Sequence, residues 1–80
     1  MADDTAGEEL VRFEIEEGGV GVMTLNRPEA LNALTVAMLQ RMRDLLDQIG
    51  SNPEVRVLIL AAAGEKAFCV GAYLKSRAAE

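Results

Sequence analysis

Apolar and charged residues alternate early in the chain: Val11, Phe13 and Ile15 are interleaved with Arg12, Glu14 and Glu16. A period of two with one wet face predicts a half-buried strand. Gly18-Gly19 follows, a pair able to take positive φ and reverse the chain tightly. Val20 to Asn26 (VGVMTLN) is rich in β-formers and apolar on both faces. The two segments predict an antiparallel hairpin, ended at Arg27-Pro28 because Pro28 has no N–H for the ladder. Beyond it the period changes. Met38, Leu39, Met42, Leu45, Leu46 and Ile49 form one stripe at helical spacing, with Gln40, Arg41, Arg43, Asp44, Asp47 and Gln48 on the other side. This predicts a helix over Val36 to Ile49. Thr35 is placed to cap its first turn, Gly50 to take the left-handed position after its last, and Pro53 to block continuation. Met38 and Met42 on such a stripe read as core rather than as a ligand groove. Val55 to Ala61 (VRVLILA) is nearly continuous in β-branched and apolar residues, the pattern of a strand covered on both faces.

Strand, helix and buried strand in that order predict a right-handed βαβ unit. Ala62-Ala63-Gly64-Glu65-Lys66 then leaves the carboxyl end of the last strand as a loop, the place where α/β folds carry their chemistry. Three strands and one helix cannot cover both faces of Val57 to Leu60, so further strands and helices are expected from outside these residues. The tail Lys75 to Glu80 has helix-forming composition but no second apolar turn and no C-cap. The chain therefore reads as the start of a larger α/β domain over residues 11–80, preceded by an acidic flexible terminus over residues 1–10.

Composition narrows the function classes. The 80 residues include one cysteine and no histidine. An intramolecular disulfide, a Cys/His zinc site and a histidine-dependent nucleophilic triad are all excluded within the chain, and no metal is expected. Only about 60% of the unfolded surface of a chain this short is buried on folding, so it should lean on further chain or on other subunits. The net charge of −5 leaves no basic stripe for nucleic acid. Much of the acidity is local: Asp3, Asp4, Glu8, Glu9, Glu14, Glu16 and Glu17 face only Arg12 at the amino end. That reads as a solvated terminus rather than an interaction tail, and it excludes an Arg-rich transit peptide. No apolar run reaches a membrane span, the longest being Val57 to Ala63. A lone cysteine fits a reducing compartment, and the cytoplasm is expected.

Side-chain catalysts are scarce, and candidate chemistry falls to backbone. In Ala67-Phe68-Cys69-Val70-Gly71-Ala72-Tyr73-Leu74-Lys75, a small-residue turn at Gly71-Ala72 sits between the exit loop of a buried strand and a helix start. Such a turn can point unpaired N–H groups into a cleft, and two donors aimed at one oxygen make an oxyanion hole. Taken alone the signal is weak, since a glycine in a loop is usually just a turn residue. Cys69 reads as a packed thiol, its closest cation in sequence being Lys66. Asn32 reads as a turn or helix-entry hydrogen bonder rather than a catalyst.

Three segments together carry a resemblance. Leu25 to Leu34 (LNRPEALNAL), the Val55-to-Ala61 strand and Ala67 to Lys75 (AFCVGAYLK), in this order and spacing, resemble the N-terminal part of the enoyl-CoA hydratase/isomerase family, the crotonases. The resemblance runs from about Val11 to Lys75. It implies an α/β fold of crotonase-like repeated ββα units, of which this chain would hold the first strands, the first helix and the start of the oxyanion-loop helix. It implies acyl-CoA thioesters as substrates, coenzyme A entering only as part of the substrate, with no separate cofactor. It also implies a homo-oligomer, trimer or hexamer.

By the same resemblance, the backbone N–H of Ala72 is one of two oxyanion-hole donors. The second donor and the family's catalytic glutamates would come from further downstream. Ala30, Leu31 and Ala33 match a CoA-side loop, Gly71, Ala72, Tyr73 and Leu74 the thioester side, and Lys75 a position near the nucleotide part of CoA, or equally a solvated helix residue. One position departs: the family usually has aspartate where this chain has Tyr73, so a favourable charge and cap near a helix start is lost. That departure reads as a pocket retuned for another acyl group, as a tolerated substitution, or as an engineered or erroneous residue. The resemblance implies an acyl-CoA hydratase or isomerase, with the 80 residues alone inactive. The alternative is a non-catalytic member that binds CoA or docks on other subunits.

Overall fold

The computed structural model describes residues 9–71. β1 (Val11–Glu16) and β2 (Val20–Leu25) form the hairpin that the alternation predicts, antiparallel from Val11↔Leu25 to Glu16↔Val20. Between them Gly18 and Gly19 take φ of 89° and 82°, and the Gly19 N–H donates to the Glu16 carbonyl at 3.2 Å. β3 (Val57–Ala62) pairs parallel to β2 from Val20↔Val57 to Leu25↔Ala62, giving the sheet order β1-β2-β3. α1 (Val36–Gly50) makes the crossover. Its N-cap is Thr35, whose Oγ1 accepts from the Met38 N–H at 3.2 Å. A single 3-10 turn, Pro28–Ala30, lies between β2 and α1.

The core is the seam between α1 and one face of the sheet. Val11, Met23 and Leu25 are buried there against Met38 and Leu45, with Phe13, Met42, Ile49, Leu58 and Ala62 packed around them. The register makes this possible. Residues two apart share a face of a strand, so Val11 and Phe13, Met23 and Leu25, and Leu58 and Ala62 all reach the α1 side. Arg41 ties the helix to the sheet edge, its Nε donating to the Val11 carbonyl at 3.2 Å.

Several details depart from the pattern in the sequence. β3 starts at Val57 rather than Val55, because the chain is still turning: the Val55 N–H donates to the Asn52 carbonyl at 3.1 Å. It then runs on to Ala62, one residue past the expected end. β2 stops at Leu25, and the Asn26 N–H donates instead to the Leu10 carbonyl at 2.7 Å. Gly50 does not take the left-handed position; it is the last residue of α1, and Ser51 closes the helix. The Ser51 N–H reaches the Gln48 carbonyl at 3.3 Å and its hydroxyl lies 3.3 and 3.2 Å from the Asp47 and Gln48 carbonyls. Helix-end carbonyls satisfied by a serine need no glycine in the left-handed region.

The apolar stripe of α1 is wider than the seam it faces. Met38 and Leu45 are buried, whereas Leu39 and Leu46 are 38% and 49% exposed on its flank. β3 shows the same surplus. No described element covers its outer face, and Val57 and Ile59 stand 56% and 47% exposed. The expectation of a strand covered on both faces is thus not met by residues 9–71 themselves, in keeping with the argument that its cover comes from elsewhere. The acidic residues 1–8 lie outside the described residues. No helix among the described residues is long and apolar enough to cross a membrane.

Candidate functional site

Because β2 and β3 are parallel, the loops that leave their carboxyl ends emerge side by side. The first runs from Asn26 to Thr35 and the second from Ala63 to Gly71. Their joint is built on Asn32, which is fully buried. Within the first loop, Arg27 and Asn32 exchange two hydrogen bonds. The Asn32 N–H donates to the Arg27 carbonyl and the Arg27 N–H to Asn32 Oδ1, each at 2.8 Å. Across to the second loop, Asn32 Nδ2 donates to the Ala63 carbonyl at 2.8 Å and to the Ala67 carbonyl at 3.4 Å. The Ala63 N–H in turn extends the β2–β3 ladder to the Leu25 carbonyl at 2.8 Å. Further along, backbone pairs join the loops directly. The Val70 N–H donates to the Leu31 carbonyl at 3.2 Å, and the Leu34 N–H to the Gly71 carbonyl at 2.8 Å.

The local conformations follow from residue type in part. Asn32 sits at φ 57°, a left-handed position that asparagine tolerates, but Leu31 before it is also left-handed at φ 54°. For a residue with a branched side chain that costs roughly 1–2 kcal/mol. The cost is carried by the hydrogen bonds on either side of it, and strain of this kind concentrates at functional loops. Gly64 has a different reason for being glycine. Its φ is 93°, and a Cβ there would stand 2.9 Å from Pro28 Cβ, so the two loops touch where only hydrogen fits.

Between the loops lies a cleft of about 350 Å³, lined by Pro28, Glu29, Leu31, Ala63, Gly64, Glu65, Lys66 and Ala67. That is the lower end of the size range of small-molecule sites. Its rim mixes two carboxylates with one ammonium. Small side chains and backbone at Ala63, Gly64 and Ala67 stand beside these charges, so the cleft offers shape and peptide dipoles together with exposed charged groups. Among the described residues no set of three or more His, Cys, Asp or Glu side chains is placed to hold a metal.

The structure places the expected site residues unequally. Leu31 lines the cleft and is 39% exposed. Ala30 and Ala33 pair with each other, the Ala33 N–H donating to the Ala30 carbonyl at 3.1 Å. Ala33 is buried, and its carbonyl accepts from the Arg27 guanidinium at 3.2 Å. Gly71 is brought against Leu34 as described, at φ 112°, with its N–H 3.4 Å from Cys69 Sγ. Cys69 is half-buried and packs against the core, as a structural thiol does. Ala72, Tyr73, Leu74 and Lys75 lie outside the described residues. Two features escaped the sequence: the Gly64–Pro28 contact, and the reach of Asn32 into the second loop. An asparagine among apolar residues in ALNAL is the signal that a buried polar partner was needed.

In open α/β sheets, clefts at the carboxyl ends of parallel strands are where ligands are commonly held. The sequence profile of the enoyl-CoA hydratase/isomerase family matches residues 20–79, and the chain belongs to that family. It is 42% identical over 67 residues to the enoyl-CoA hydratase/isomerase YngF of Bacillus subtilis, a match covering 84% of this chain and 26% of that protein. It is also 42% identical over 76 residues to a mitochondrial 3-hydroxyisobutyryl-CoA hydrolase of Danio rerio, covering 95% of this chain and 19% of the other. Among solved structures, enoyl-CoA hydratase from Bacillus anthracis superposes with a TM-score of 0.80 at 39% identity, over 89% of this chain and 28% of that one. The fold is therefore crotonase-like, and the chain spans 19–28% of the length of these relatives.

Proposed function

We propose that the protein carrying this sequence is an acyl-CoA hydratase or isomerase that stabilises a thioester enolate through backbone N–H groups. The observation that carries this reading is the pairing of Leu31 and Leu34 with Val70 and Gly71, which holds the second loop up to the residue before Ala72. Ala72 then supplies one donor to the thioester oxygen, and the second donor and the proton-handling carboxylates come from residues outside this sequence. Charge grows on that oxygen as water adds or the double bond moves. A preorganised N–H is worth ~2.7–4 kcal/mol at that moment because it needs no reorientation. The loop of Ala30, Leu31 and Ala33 lies on the CoA side, Gly71, Tyr73 and Leu74 on the thioester side, and Lys75 near the nucleotide.

Family membership supports acyl-CoA as the substrate class. The relatives carry hydratase, isomerase and hydrolase names, and we take hydration of an enoyl thioester as the reaction. We place the protein in the cytoplasm as a homo-oligomer. The bare face of β3 favours a second reading, a non-catalytic module docking on other subunits through Val57 and Ile59.

The test is direct. The full-length protein is incubated with crotonyl-CoA and the enoyl absorbance followed, beside residues 1–80 alone. Turnover by the full-length protein and none by the segment is expected. Absence of turnover together with tight CoA binding would replace the enzyme by the module, and turnover by the segment would remove the need for downstream groups.

A further inference from the structure

We infer that Asn32 is a positioning residue for the oxyanion donor, acting through the second loop rather than on substrate; this rests on the reaction proposed above. Its side chain has no group left for a ligand. Both Nδ2 hydrogens are committed, to the Ala63 and Ala67 carbonyls, and Oδ1 accepts from the Arg27 N–H. The residue has no exposed surface. What it touches is decisive. Ala63 is the point where the second loop leaves the β2–β3 ladder, and Ala67 lies midway to Gly71. Asn32 thus fixes two points of that loop, and the backbone pairs at Val70 and Gly71 fix it again further along. The first loop is in turn closed on itself by the Arg27–Asn32 exchange.

The backbone pairs and the close approach beside it act differently. The Leu31–Val70 and Leu34–Gly71 bonds run between backbones and exist only if the loops already lie alongside each other. Gly64 against Pro28 sets how closely they approach but not the register. The Asn32 amide reads across from one loop to two separate points of the other.

The experiment compares full-length protein with Asn32→Asp, Asn32→Gly and Leu45→Ala. Aspartate keeps the size, the left-handed backbone and the acceptor for Arg27, but turns a donor into a carboxylate facing two carbonyls. Glycine keeps the backbone and adds no charge. Leu45→Ala lowers stability at the core, far from the loops. A donor displaced by about 1 Å costs about 100-fold in kcat. We expect that loss in both Asn32 variants with KM changed by less than about threefold, and kcat close to the parent in Leu45→Ala. Amide exchange is read on the same samples. Protection at Leu34 and Val70 should fall on the order of tenfold in the Asn32 variants while Met42 and Leu45 keep theirs.

Unchanged kcat in the Asn32 variants, or an equal fall in Leu45→Ala, overturns the proposal. So does failure of both variants to fold, which would make Asn32 a residue of global stability. If the parent turns over no acyl-CoA, the proposed reaction fails separately, and exchange decides the positioning role: retained protection at Val70 and Leu34 refutes it, local loss sustains it.

Discussion

The seam under α1 and the pair of loops at the strand ends are held by different forces. In the seam, Val11, Met23, Leu25, Met38 and Leu45 exclude water by apolar contact, which has no directional preference. Between the loops almost every link is a hydrogen bond with a defined donor and acceptor, and the one fully buried side chain there is that of Asn32. Apolar packing tolerates a change of shape at graded cost. A hydrogen-bonded joint keeps one geometry or loses it, because a buried unpaired amide is expensive. The molecule therefore uses the tolerant force for bulk stability and the exacting one where its two loops meet.

The broadest way to break this contrast is to isolate the 80 residues. Val57 and Ile59 on one side of the sheet, and Leu39 and Leu46 on the flank of α1, leave apolar surface that the seam does not use. The segment alone is expected to self-associate, seen as concentration-dependent sedimentation, and Val57→Lys with Ile59→Lys to shift it toward monomer. A compact monomer with a cooperative melt would mean that the seam alone is sufficient. Next in size is Met38→Ala in the full-length protein. Met38 has no exposed surface, and truncating a buried methionine costs about 2–5 kcal/mol. Denaturant unfolding should show that loss, with kcat per folded molecule retained.

Gly64→Ala probes the loops. The left-handed φ and the 2.9 Å approach to Pro28 both oppose a Cβ. A cost of roughly 1–3 kcal/mol is expected, read as a lower thermal midpoint together with weaker acyl-CoA binding. Binding unchanged at a lowered midpoint would separate the cleft from the ligand. The smallest effect is expected at Thr35→Ala, which removes the acceptor for the Met38 N–H at the start of α1. A loss of about 1 kcal/mol is typical for such a cap, measured by chemical denaturation, with no change in ligand affinity.

Much of this was legible beforehand, for identifiable reasons. The alternation at Val11, Phe13 and Ile15 and the stripe through Met38, Met42, Leu45 and Ile49 are periodic signals that local geometry converts directly into a strand and a helix. Thr35 was found because an N-cap is a contact between residues three apart. Gly50 is the sequence's candidate for the left-handed position, but Ser51 beside it ends the helix through its own hydroxyl. The start of β3 was misplaced because Val55 and Arg56 have strand-like side chains but lie in the turn that follows Asn52. In the site, Ala62 ends β3 rather than opening the loop, and Ala72 to Lys75 lie outside the described residues.

What the amino-acid order determined by itself was therefore local or periodic: the hairpin, the helix with its cap, the apolar strand, and the three segments whose spacing marks the family. Tertiary structure alone decided which loop meets which. Asn32 lies 31 positions before Ala63 and 35 before Ala67, and nothing in a window around any of them records the partner. The parallel pairing of β2 with β3 brings both carboxyl ends to one edge, and only there does a buried amide find two carbonyls to hold. Directional bonds between distant residues depend on the whole path of the chain between them, whereas a period of two or of 3.6 is visible within a few residues.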